Sequence, residues 1–268
     1  MSDYAEHLAV AVEAVRRAAD AMRRRPPGAL TSKGDRDVAS ELDYAIERDV
    51  RAFLSTETPG IGFLGEEEGL TGSASWRWIL DPIDGTSNYV RGLPLCAVSL
   101  GLAHGDTSVA GVIELPFLSV RYTAAQGSGA HANGKRITVS DTASMSQALV
   151  AVGDYAVGSG AEDRNRLRLA LTAQLAAEAQ RIRMTGSAAL DLAWLAEGKI
   201  DSALTLSNHP WDMAAGVLIA REAGAVVVDG DGAVHNIASA VTLAITPALS
   251  GAVLAAYQRA LAAVKGTG

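Results

Sequence analysis

Acidic side chains end three apolar segments of this 268-residue sequence. Glu66 and Glu67 close the run GFLGEEEG, Asp81 and Asp84 lie in WILDPIDGT, and Asp212 stands at the start of a helix in HPWDMAAG. Because a scaffold can aim side chains at such segment ends into a cleft, these acids are candidates for one shared site. Unpaired carboxylates held close together repel one another. A bound cation removes this conflict, and oxygen ligands without His or Cys favour Mg²⁺, or alternatively Mn²⁺, over zinc.

The segment DPIDGT combines two acids with a turn that can bind an anion. Asp81 precedes a proline, which favours extended backbone, so we expect it to be the last residue of the strand WIL. The turn then brings Asp84 back towards Asp81, and Gly85 and Thr86 begin a helix whose N–H groups can bind phosphate. Phosphate beside Mg²⁺ indicates attack on a phosphate ester by a metal-activated water.

Three segments of the sequence resemble the signature segments of the inositol monophosphatase family: GEEEG, WILDPIDGTSNY and PWDMAAGVLIAREAGA. Members of this family are Mg²⁺-dependent, lithium-sensitive sugar phosphatases. Order and spacing also match, and the resemblance extends from about Lys33 to Gly230 through GSGAHANGKRI and RMTGSAALD. It implies an α/β (α+β) fold, a layered α-β-α-β-α sandwich of the sugar phosphatase type, and assembly as a homodimer.

The resemblance assigns two or three Mg²⁺ ions to the acidic residues. Glu66, Asp81 and the carbonyl of Ile83 would hold the first ion. Asp81 would bridge to a second ion, which Asp84 and Asp212 complete, and a third, weaker ion would bind at Glu66. The metal ligands implied by the family are therefore Glu66, Asp81, Ile83, Asp84 and Asp212.

The resemblance also assigns the catalytic and phosphate-binding groups. Thr86, paired with Asp43, would position the attacking water together with Glu66, and the N–H groups of Gly85 and Thr86 would hold the phosphate. The family pattern around this acid is Asp, two hydrophobic residues, Thr, two further residues and Asp; Ser40 and the residues after it vary that pattern here, but Asp43 is retained.

The substrate side matches the family except at one position. The implied substrate-binding residues are Asp84, Gly85, Thr86, Gly186, Ser187, Ala188, Thr205 and Asp212. In inositol-specific members a Glu seven residues before the aspartate of the WD pair contacts substrate hydroxyls, and here that position is Thr205. A shorter hydroxyl could still reach the substrate through water. The resemblance thus supports the phosphate chemistry more strongly than it supports inositol recognition.

Composition bounds the class of protein. Hydrophobic residues make up 49% and charged residues 20%, and the net charge is −7. This is typical of a folded globular protein, and the lack of a basic patch argues against nucleic-acid binding. No apolar run approaches the ~18 residues of a membrane span. Cys96, the only cysteine, is predicted to be buried, and the charged N-terminal segment lacks a signal-peptide core, so we predict a cytoplasmic protein.

Hydrophobic periodicity predicts two halves that form one compact unit, residues 1–140 and 141–268. The first has helices near 3–24 and from about Leu42 to the Thr58-Pro59-Gly60 break, then strands of antiparallel character from Trp76 onward. The second alternates strands and helices, which indicates an α/β half. Its helices are predicted near 162–180, around 189–195, from 213 to 223 and near 249–264.

Several polar residues have less specific interpretations. His209 is predicted to be structural or to lie at the rim of the substrate site, because the mechanism needs no imidazole. His104, His131 and His235 lie in polar segments and are predicted to be solvated. Lys33, in the loop TSKGDRD, is a candidate phosphate-side cation.

The predicted substrate is inositol 1-phosphate or a related polyol phosphate. Alternatives within the family are 3′-phosphoadenosine 5′-phosphate, fructose 1,6-bisphosphate and histidinol phosphate, for which Arg164, Arg181 and Arg183 could supply positive charge. A haloacid-dehalogenase-type phosphatase is a further alternative, but its two aspartates are two residues apart rather than three. A catalytically silent regulatory protein is the last alternative, and it would have no need for four converging acids.

Overall fold

The helices lie where the sequence pattern predicts them. The structure, a computed structural model, describes residues 4–34, 37–73 and 75–266. In these ranges its α-helices are α1 (Tyr4–Arg24), α2 (Glu41–Glu57), α3 (Thr86–Val90), α4 (Ala161–Glu178), α5 (Ala188–Ala196), α6 (Pro210–Glu222) and α7 (Ser250–Lys265). Helix α6 begins three residues earlier than predicted because proline is well suited to the first turn of a helix.

The strands form a hairpin and two larger sheets. Those of residues 30–137 are β1 (Leu30–Gly34), β2 (Asp37–Ser40), β3 (Gly62–Gly65), β4 (Gly69–Thr71), β5 (Trp76–Asp84), β6 (Ala97–His104), β7 (Thr107–Leu115), β8 (Val120–Ala125), β9 (Ala130–Ala132) and β10 (Lys135–Ile137). Those that follow are β11 (Leu149–Val152), β12 (Arg181–Arg183), β13 (Ser202–Thr205), β14 (Val226–Val228) and β15 (Thr242–Ile245). The sequence pattern does not predict the hairpin of β1 and β2.

The larger sheet has the order β10-β9-β8-β7-β6-β5-β3-β4 and is antiparallel apart from the parallel pair of β3 and β5. The second sheet is mixed, with the order β12-β11-β13-β15-β14. The predicted antiparallel and mixed sheets are both confirmed. The parallel pairing places the ends of β3 and β5 side by side, because Gly65 is the partner of Leu80, and each strand leads into one of the acidic segments.

A bulge interrupts β5 at the two aspartates. Asp81 pairs with Ser99 and Asp84 pairs with Ala97, so three steps along β5 match two along β6. The prediction that Asp81 ends the strand is therefore wrong, because pairing to β6 resumes after one extra residue. Pro82 is compatible with a bulge, where a strand needs no ladder hydrogen bond. The bulge changes the direction of the strand between the two carboxylates.

Five layers of alternating helix and sheet build the core, as the predicted α-β-α-β-α sandwich requires. In β7, Val112 packs with α1 and α2, and its neighbour Ile113 packs with α5 and α6 on the opposite face. The other side of α5 and α6 packs on the second sheet, for example through Met213. Helices α4 and α7 cover the outer face of that sheet. Cys96 is buried as predicted, and none of the described helices combines the length and apolar character needed to cross a bilayer.

His235 is buried, so the prediction that it is solvated is wrong. It is 3% exposed, and its Nε2 lies 2.8 Å from the Thr242 hydroxyl. The Arg221 guanidinium donates to the His235 carbonyl at 2.6 Å, which ties the loop before β15 to α6. Burial, aided by the charge of Arg221, lowers the pKa of His235 to about 4. The histidine is therefore neutral in the folded protein at neutral pH.

His235 should make the protein less stable in mild acid. Between about pH 6.5 and 4 the unfolded chain binds a proton that the folded chain does not, so the free energy of unfolding falls as pH falls. From pH 7.5 to pH 5 this contribution amounts to about 2 kcal/mol. In urea unfolding experiments we expect His235→Gln to lose correspondingly less free energy of unfolding over that range, even if the variant is less stable than the wild type at pH 7.5.

Comparing the pH dependence of the two proteins removes the effect of acids that titrate in both. His104→Gln, at an exposed position, is the control and should follow the wild type. Equal losses of stability between pH 7.5 and pH 5 in wild type and His235→Gln would show that the neutral imidazole does not cause the pH dependence.

Candidate active site

Glu66, the first acid of the predicted set, lies in the turn after β3. Glu66 and Glu67 each accept a hydrogen bond of 2.6 Å from the Lys33 ammonium. The Glu66 side chain is 19% exposed, whereas that of Glu67 is 1% exposed. Lys33 therefore contacts the acidic cluster itself and offsets part of its charge. Its predicted contact with phosphate stays a prediction.

Glu47 on α2 supports this turn, and the sequence analysis did not single it out. Its buried carboxylate accepts the backbone N–H groups of Glu67 at 2.8 Å and Glu68 at 2.9 Å. A Cβ on Gly65 would lie 2.1 Å from the Glu47 carboxyl carbon, so the close approach requires glycine. Glu47 thereby fixes the backbone that directly follows Glu66.

Asp81, Ile83, Thr86 and Asp43 form a connected group of polar atoms. Asp81 is 2% exposed and accepts the Ile83 N–H at 3.0 Å. The Thr86 hydroxyl lies 3.0 Å from the Ile83 carbonyl oxygen and 3.2 Å from Asp43 Oδ1, while Asp43 Oδ2 accepts the Ser40 N–H at 2.9 Å. Since a hydroxyl has a single proton, Thr86 donates it to one acceptor at a time and keeps lone pairs for another donor.

Asp84 lies against the N-terminus of α5. Its Oδ2 accepts hydrogen bonds from the Ser187 hydroxyl at 2.9 Å and from the Ala189 N–H. Ser187 also caps α5 by accepting the Leu190 N–H at 3.2 Å. The positive end of a helix stabilises a carboxylate in this position. Ser187, which was predicted to bind substrate, therefore orients the Asp84 carboxylate.

Asn88 on α3 connects the same two parts of the chain. Its amide donates hydrogen bonds of 2.7 Å to the carbonyls of Leu95 and Thr185. Gly85, the residue before α3, has φ +88°, a left-handed conformation that glycine adopts without strain. The turn proposed to receive phosphate is thus tied by hydrogen bonds to the nearby loop at Leu95 and to the distant segment at Thr185.

Asp212 occupies the first turn of α6. Its Oδ2 accepts the N–H of His209 at 3.4 Å, in the arrangement of a capping box. His209 is exposed and stacks on Trp211, with ring centroids 4.9 Å apart. This is consistent with the predicted structural or rim role of His209. The carboxylate of Asp212 comes from the layer of helices between the sheets, whereas Asp81 and Asp84 come from the larger sheet.

The carboxyl groups influence one another electrostatically. Burial raises the pKa of Asp81 well above its usual value, and Glu66, Asp84 and Asp212 raise it further. Burial raises the pKa of Asp84 to about 6, although its hydrogen bonds oppose the shift. The pKa of Asp212 is also well above its usual range, because of burial and then Asp84 and Glu66. Four acids thus share one region with an unfavourable excess of negative charge.

The donor chemistry of this region fits a hard cation such as Mg²⁺. The side chains offer only oxygen atoms, and a cation between them would relieve their mutual repulsion. Within the described ranges no three His, Cys, Asp or Glu side chains are already arranged to enclose an ion.

A cavity of about 550 Å³ adjoins the acids at Asp84 and Asp212. Six predicted residues line it: Asp84, Gly186, Ser187, Ala188, Thr205 and Asp212. Glu66, Asp81 and Thr86 are not among its described lining residues, so the cavity brings together mainly residues that were predicted to bind substrate. A second cavity of about 580 Å³, between α1 and α2, contains none of the predicted site residues.

Of the three arginines suggested for a bisphosphate, Arg164 lines the substrate cavity, while Arg181 and Arg183 are exposed on β12 and are not among its described lining residues. Arg168, which the sequence analysis did not single out, does line it. The signal that could have identified Arg168 is its spacing of four from Arg164, which places both on one face of α4.

The layered α/β fold, the buried acids beside the start of a helix and the adjoining cavity define a hydrolase of phosphate esters. The sequence matches the inositol monophosphatase family over residues 3–263. It is 41% identical over 231 residues to the probable inositol 1-monophosphatase ImpA of Mycobacterium tuberculosis, covering 86% of this chain and 85% of that protein. The chain belongs to the inositol monophosphatase family and is a phosphoric monoester hydrolase. This excludes the haloacid-dehalogenase-type alternative.

Two further relatives extend the comparison. The fructose-1,6-bisphosphatase/inositol-1-monophosphatase of Aquifex aeolicus is 37% identical over 198 residues, which is 74% of each chain. The structure of the Thermotoga maritima IMPase superposes with a TM-score of 0.87 at 28% identity, over 96% of this chain and 99% of that one. The fold prediction is therefore confirmed over almost the whole chain.

Proposed function

We propose that the protein hydrolyses inositol 1-phosphate to inositol and phosphate in a Mg²⁺-dependent reaction. The observation that carries this proposal is the convergence of the buried acids of β5 with Asp212 of α6 beside the turn at Gly85. Glu66, Asp81, the Ile83 carbonyl, Asp84 and Asp212 would hold two or three Mg²⁺ ions, and Mn²⁺ is an alternative. When bound, the ions would offset the charge of the phosphate and make water a stronger nucleophile at neutral pH.

Thr86 and Asp43 would orient the attacking water. If the Ile83 oxygen is used as a metal ligand, the proton of the Thr86 hydroxyl is left to Asp43, 3.2 Å away. The Thr86 oxygen then accepts a hydrogen bond from water and fixes its direction. Glu66 is the proposed acid that assists this water. Burial and the Ser40 N–H keep the Asp43 carboxylate in place.

The phosphate would bind at the N–H groups of Gly85 and Thr86, with its alcohol in the cavity. Gly186, Ser187, Ala188 and Thr205 would then face the alcohol. Thr205 offers a hydroxyl where inositol-specific relatives have an acid, which weakens the preference for a neutral polyol. Of the alternative substrates, Arg164 and Arg168 in the cavity wall favour a bisphosphate such as fructose 1,6-bisphosphate.

Phosphate release from a panel of substrates tests the proposal. The panel comprises inositol 1-phosphate, fructose 1,6-bisphosphate, 3′-phosphoadenosine 5′-phosphate and histidinol phosphate, each assayed with Mg²⁺, EDTA and Mg²⁺ plus Li⁺. We expect release from inositol 1-phosphate with Mg²⁺, none with EDTA and inhibition by Li⁺. Release that persists in EDTA would contradict the metal dependence. Activity confined to another compound of the panel would show that this compound, and not inositol 1-phosphate, is the substrate.

Three wider expectations accompany this proposal. The resemblance to the family suggests a homodimer, which sedimentation at micromolar concentration would test. A cytoplasmic location is proposed as well, which the single cysteine, buried and unpaired in a disulfide, favours. We also propose that residues 1–140 and 141–268 are halves of one unit, because both contribute side chains to the site.

A further inference from the structure

Asp191 on α5 is a buried carboxyl group that the proposed reaction does not use. It is 6% exposed and lines the cavity together with Asp84 and Asp212. Its Oδ1 accepts a hydrogen bond of 2.7 Å from the Thr185 hydroxyl. Among the described residues no donor contacts its other oxygen, Oδ2. Because a carboxyl group is rarely buried so deeply without partners for its polar atoms, Oδ2 is free to bind a molecule in the cavity.

Asp191 is largely protonated at neutral pH. Burial raises its pKa to about 8, the hydrogen bond from Thr185 opposes this shift, and the charges of Asp84 and Asp154 add to it. Since Oδ1 accepts the Thr185 proton, the proton of the carboxyl group belongs on Oδ2, which can then donate one hydrogen bond. Asp191 therefore presents a donor to the cavity without adding a negative charge beside the bound phosphate.

The residues proposed to face the alcohol offer few polar atoms of their own. The Ser187 hydroxyl already donates to Asp84 Oδ2 at 2.9 Å and accepts an N–H group of α5 at 3.2 Å. Gly186 and Ala188 have no polar side-chain atom. Of these four residues, only Thr205 has a polar side chain left for the hydroxyls of a polyol. A further hydrogen-bonding group in the cavity would therefore increase the discrimination between alcohols.

The position of Asp191 on α5 suits contact with the alcohol. It follows Ser187 by four residues, so both side chains lie on the same face of the helix. Ser187 contacts Asp84, which marks the end of the cavity where the phosphate is proposed to bind. An alcohol that extends from this phosphate into the cavity would lie against the face of α5 that bears Asp191.

We propose that Asp191 is a specificity-determining residue that recognises a hydroxyl group of the substrate alcohol through its Oδ2 atom. The contact adds a carboxyl group to the alcohol side of the cavity, where Thr205 stands in place of an acid. The inference rests on the proposed function, because it assigns a further residue to substrate recognition in the same site.

Two phosphates that differ only in their ring hydroxyls test the inference. Cyclohexyl phosphate is inositol 1-phosphate without the five free hydroxyls, so kcat/KM of the wild type should be higher for inositol 1-phosphate. In Asp191→Leu, which has a similar shape but no polar atom, the ratio of the two values should fall about three- to tenfold, as expected for one uncharged hydrogen bond. Asp191→Asn keeps an acceptor for Thr185 and a donor for the substrate, and it should retain most of the ratio.

Thr185→Val is the matched control for a purely structural role of Asp191. It removes the hydrogen bond that ties Asp191 to the turn before α5 but leaves the carboxyl group in the cavity. Any distortion of this turn should lower kcat/KM for both compounds alike, so Thr185→Val should keep the wild-type ratio. If Asp191→Leu does not fold, as judged by its thermal melting, Asp191→Ala is the second variant and carries the same expectation.

A binding measurement separates this inference from the proposed function. If inositol 1-phosphate is not hydrolysed, the proposed function is refuted, and the Kd values of the two compounds from calorimetry with Mg²⁺ replace kcat/KM. A Kd for inositol 1-phosphate that rises in Asp191→Leu, with an unchanged Kd for cyclohexyl phosphate, would still support the role of Asp191. The inference would be overturned by a wild type that does not distinguish the two compounds. Equal losses on both compounds in a folded Asp191→Leu or Asp191→Ala would also overturn it.

Discussion

Replacing Asp212 by Asn is expected to lower kcat for inositol 1-phosphate at least about 1,000-fold, because groups that act as a unit in catalysis lose most of their effect when one is removed. Asparagine has the same shape as aspartate and can still accept the His209 N–H, so the first turn of α6 should remain intact. What the substitution removes is one negative charge from the proposed metal ligands. The measurement is phosphate release with saturating Mg²⁺.

Thermal unfolding shows whether the loss is chemical or structural. In EDTA, Asp212→Asn should melt within about 4 °C of the wild type, since only a small electrostatic change at the helix start is involved. It should even gain some stability from the removal of a carboxyl whose pKa burial and like charges raise. Addition of Mg²⁺ should raise the melting temperature of the wild type and have much less effect on the variant.

Asp231→Asn, in the exposed turn after β14, is the control for loss of one charge. It should keep both wild-type activity and the response to Mg²⁺. An active, normally folded Asp212→Asn would show that Asp212 is not a ligand.

Replacing Glu47 by Ala should destabilise the protein by about 3 kcal/mol or more, the range measured when one partner of a buried ion pair is removed. Its carboxylate is fully buried and also accepts a hydrogen bond of 2.7 Å from Arg51. Without it, the N–H groups of Glu67 and Glu68 and the Arg51 guanidinium lose their shared acceptor. In a protein of this size the melting temperature should fall by about 6–12 °C.

The same substitution should weaken Mg²⁺ binding, because Glu47 holds the turn that bears Glu66. Loss of a group that orients a metal ligand typically costs about 10–100-fold in affinity, and calorimetric titration with Mg²⁺ measures it below the melting temperature. Glu47→Gln is a milder change, but the NH₂ of its amide would face a donor and cannot accept the hydrogen bond that the second carboxylate oxygen accepts. Asp49→Ala, at an exposed position on the same helix, should leave stability and affinity unchanged. If Glu47→Ala resembled Asp49→Ala in both measurements, the supporting role of Glu47 would be wrong.

The helices, most strands and the acidic segments could be predicted because their signals are local. In α2 the apolar spacing of Leu42, Ile46 and Val50 defines the buried face, and all three are buried. Asp81, Asp84 and Asp212 are each recognisable from neighbouring residues. Their convergence could only be inferred from the family resemblance, because it depends on how α6 packs against the larger sheet.

The features that were missed depend on partners far along the chain. Glu47 follows Asp43 by one helical turn on the same buried face. Its role, however, is to accept hydrogen bonds from N–H groups 20 and 21 residues further along the chain. The bulge in β5 is determined by its register with β6 and not by the residue before Pro82. His235 is polar in a polar segment, yet the loop folds back onto Thr242 and α6. Periodicity carries no information about such long-range contacts.

The hydrogen bonds of Asn88 to Thr185 and of Asp84 to Ser187 span 97 and 103 residues of sequence. Contacts of such high separation form late, since loop closure must precede them. During synthesis the antiparallel sheet can complete its pairing before residues 185–212 have left the ribosome. In such a nascent chain the turn proposed to bind phosphate would lack its support. Catalytic activity should therefore return after secondary structure when the denatured protein refolds. Phosphate release would then report one of the last steps in the folding of this chain.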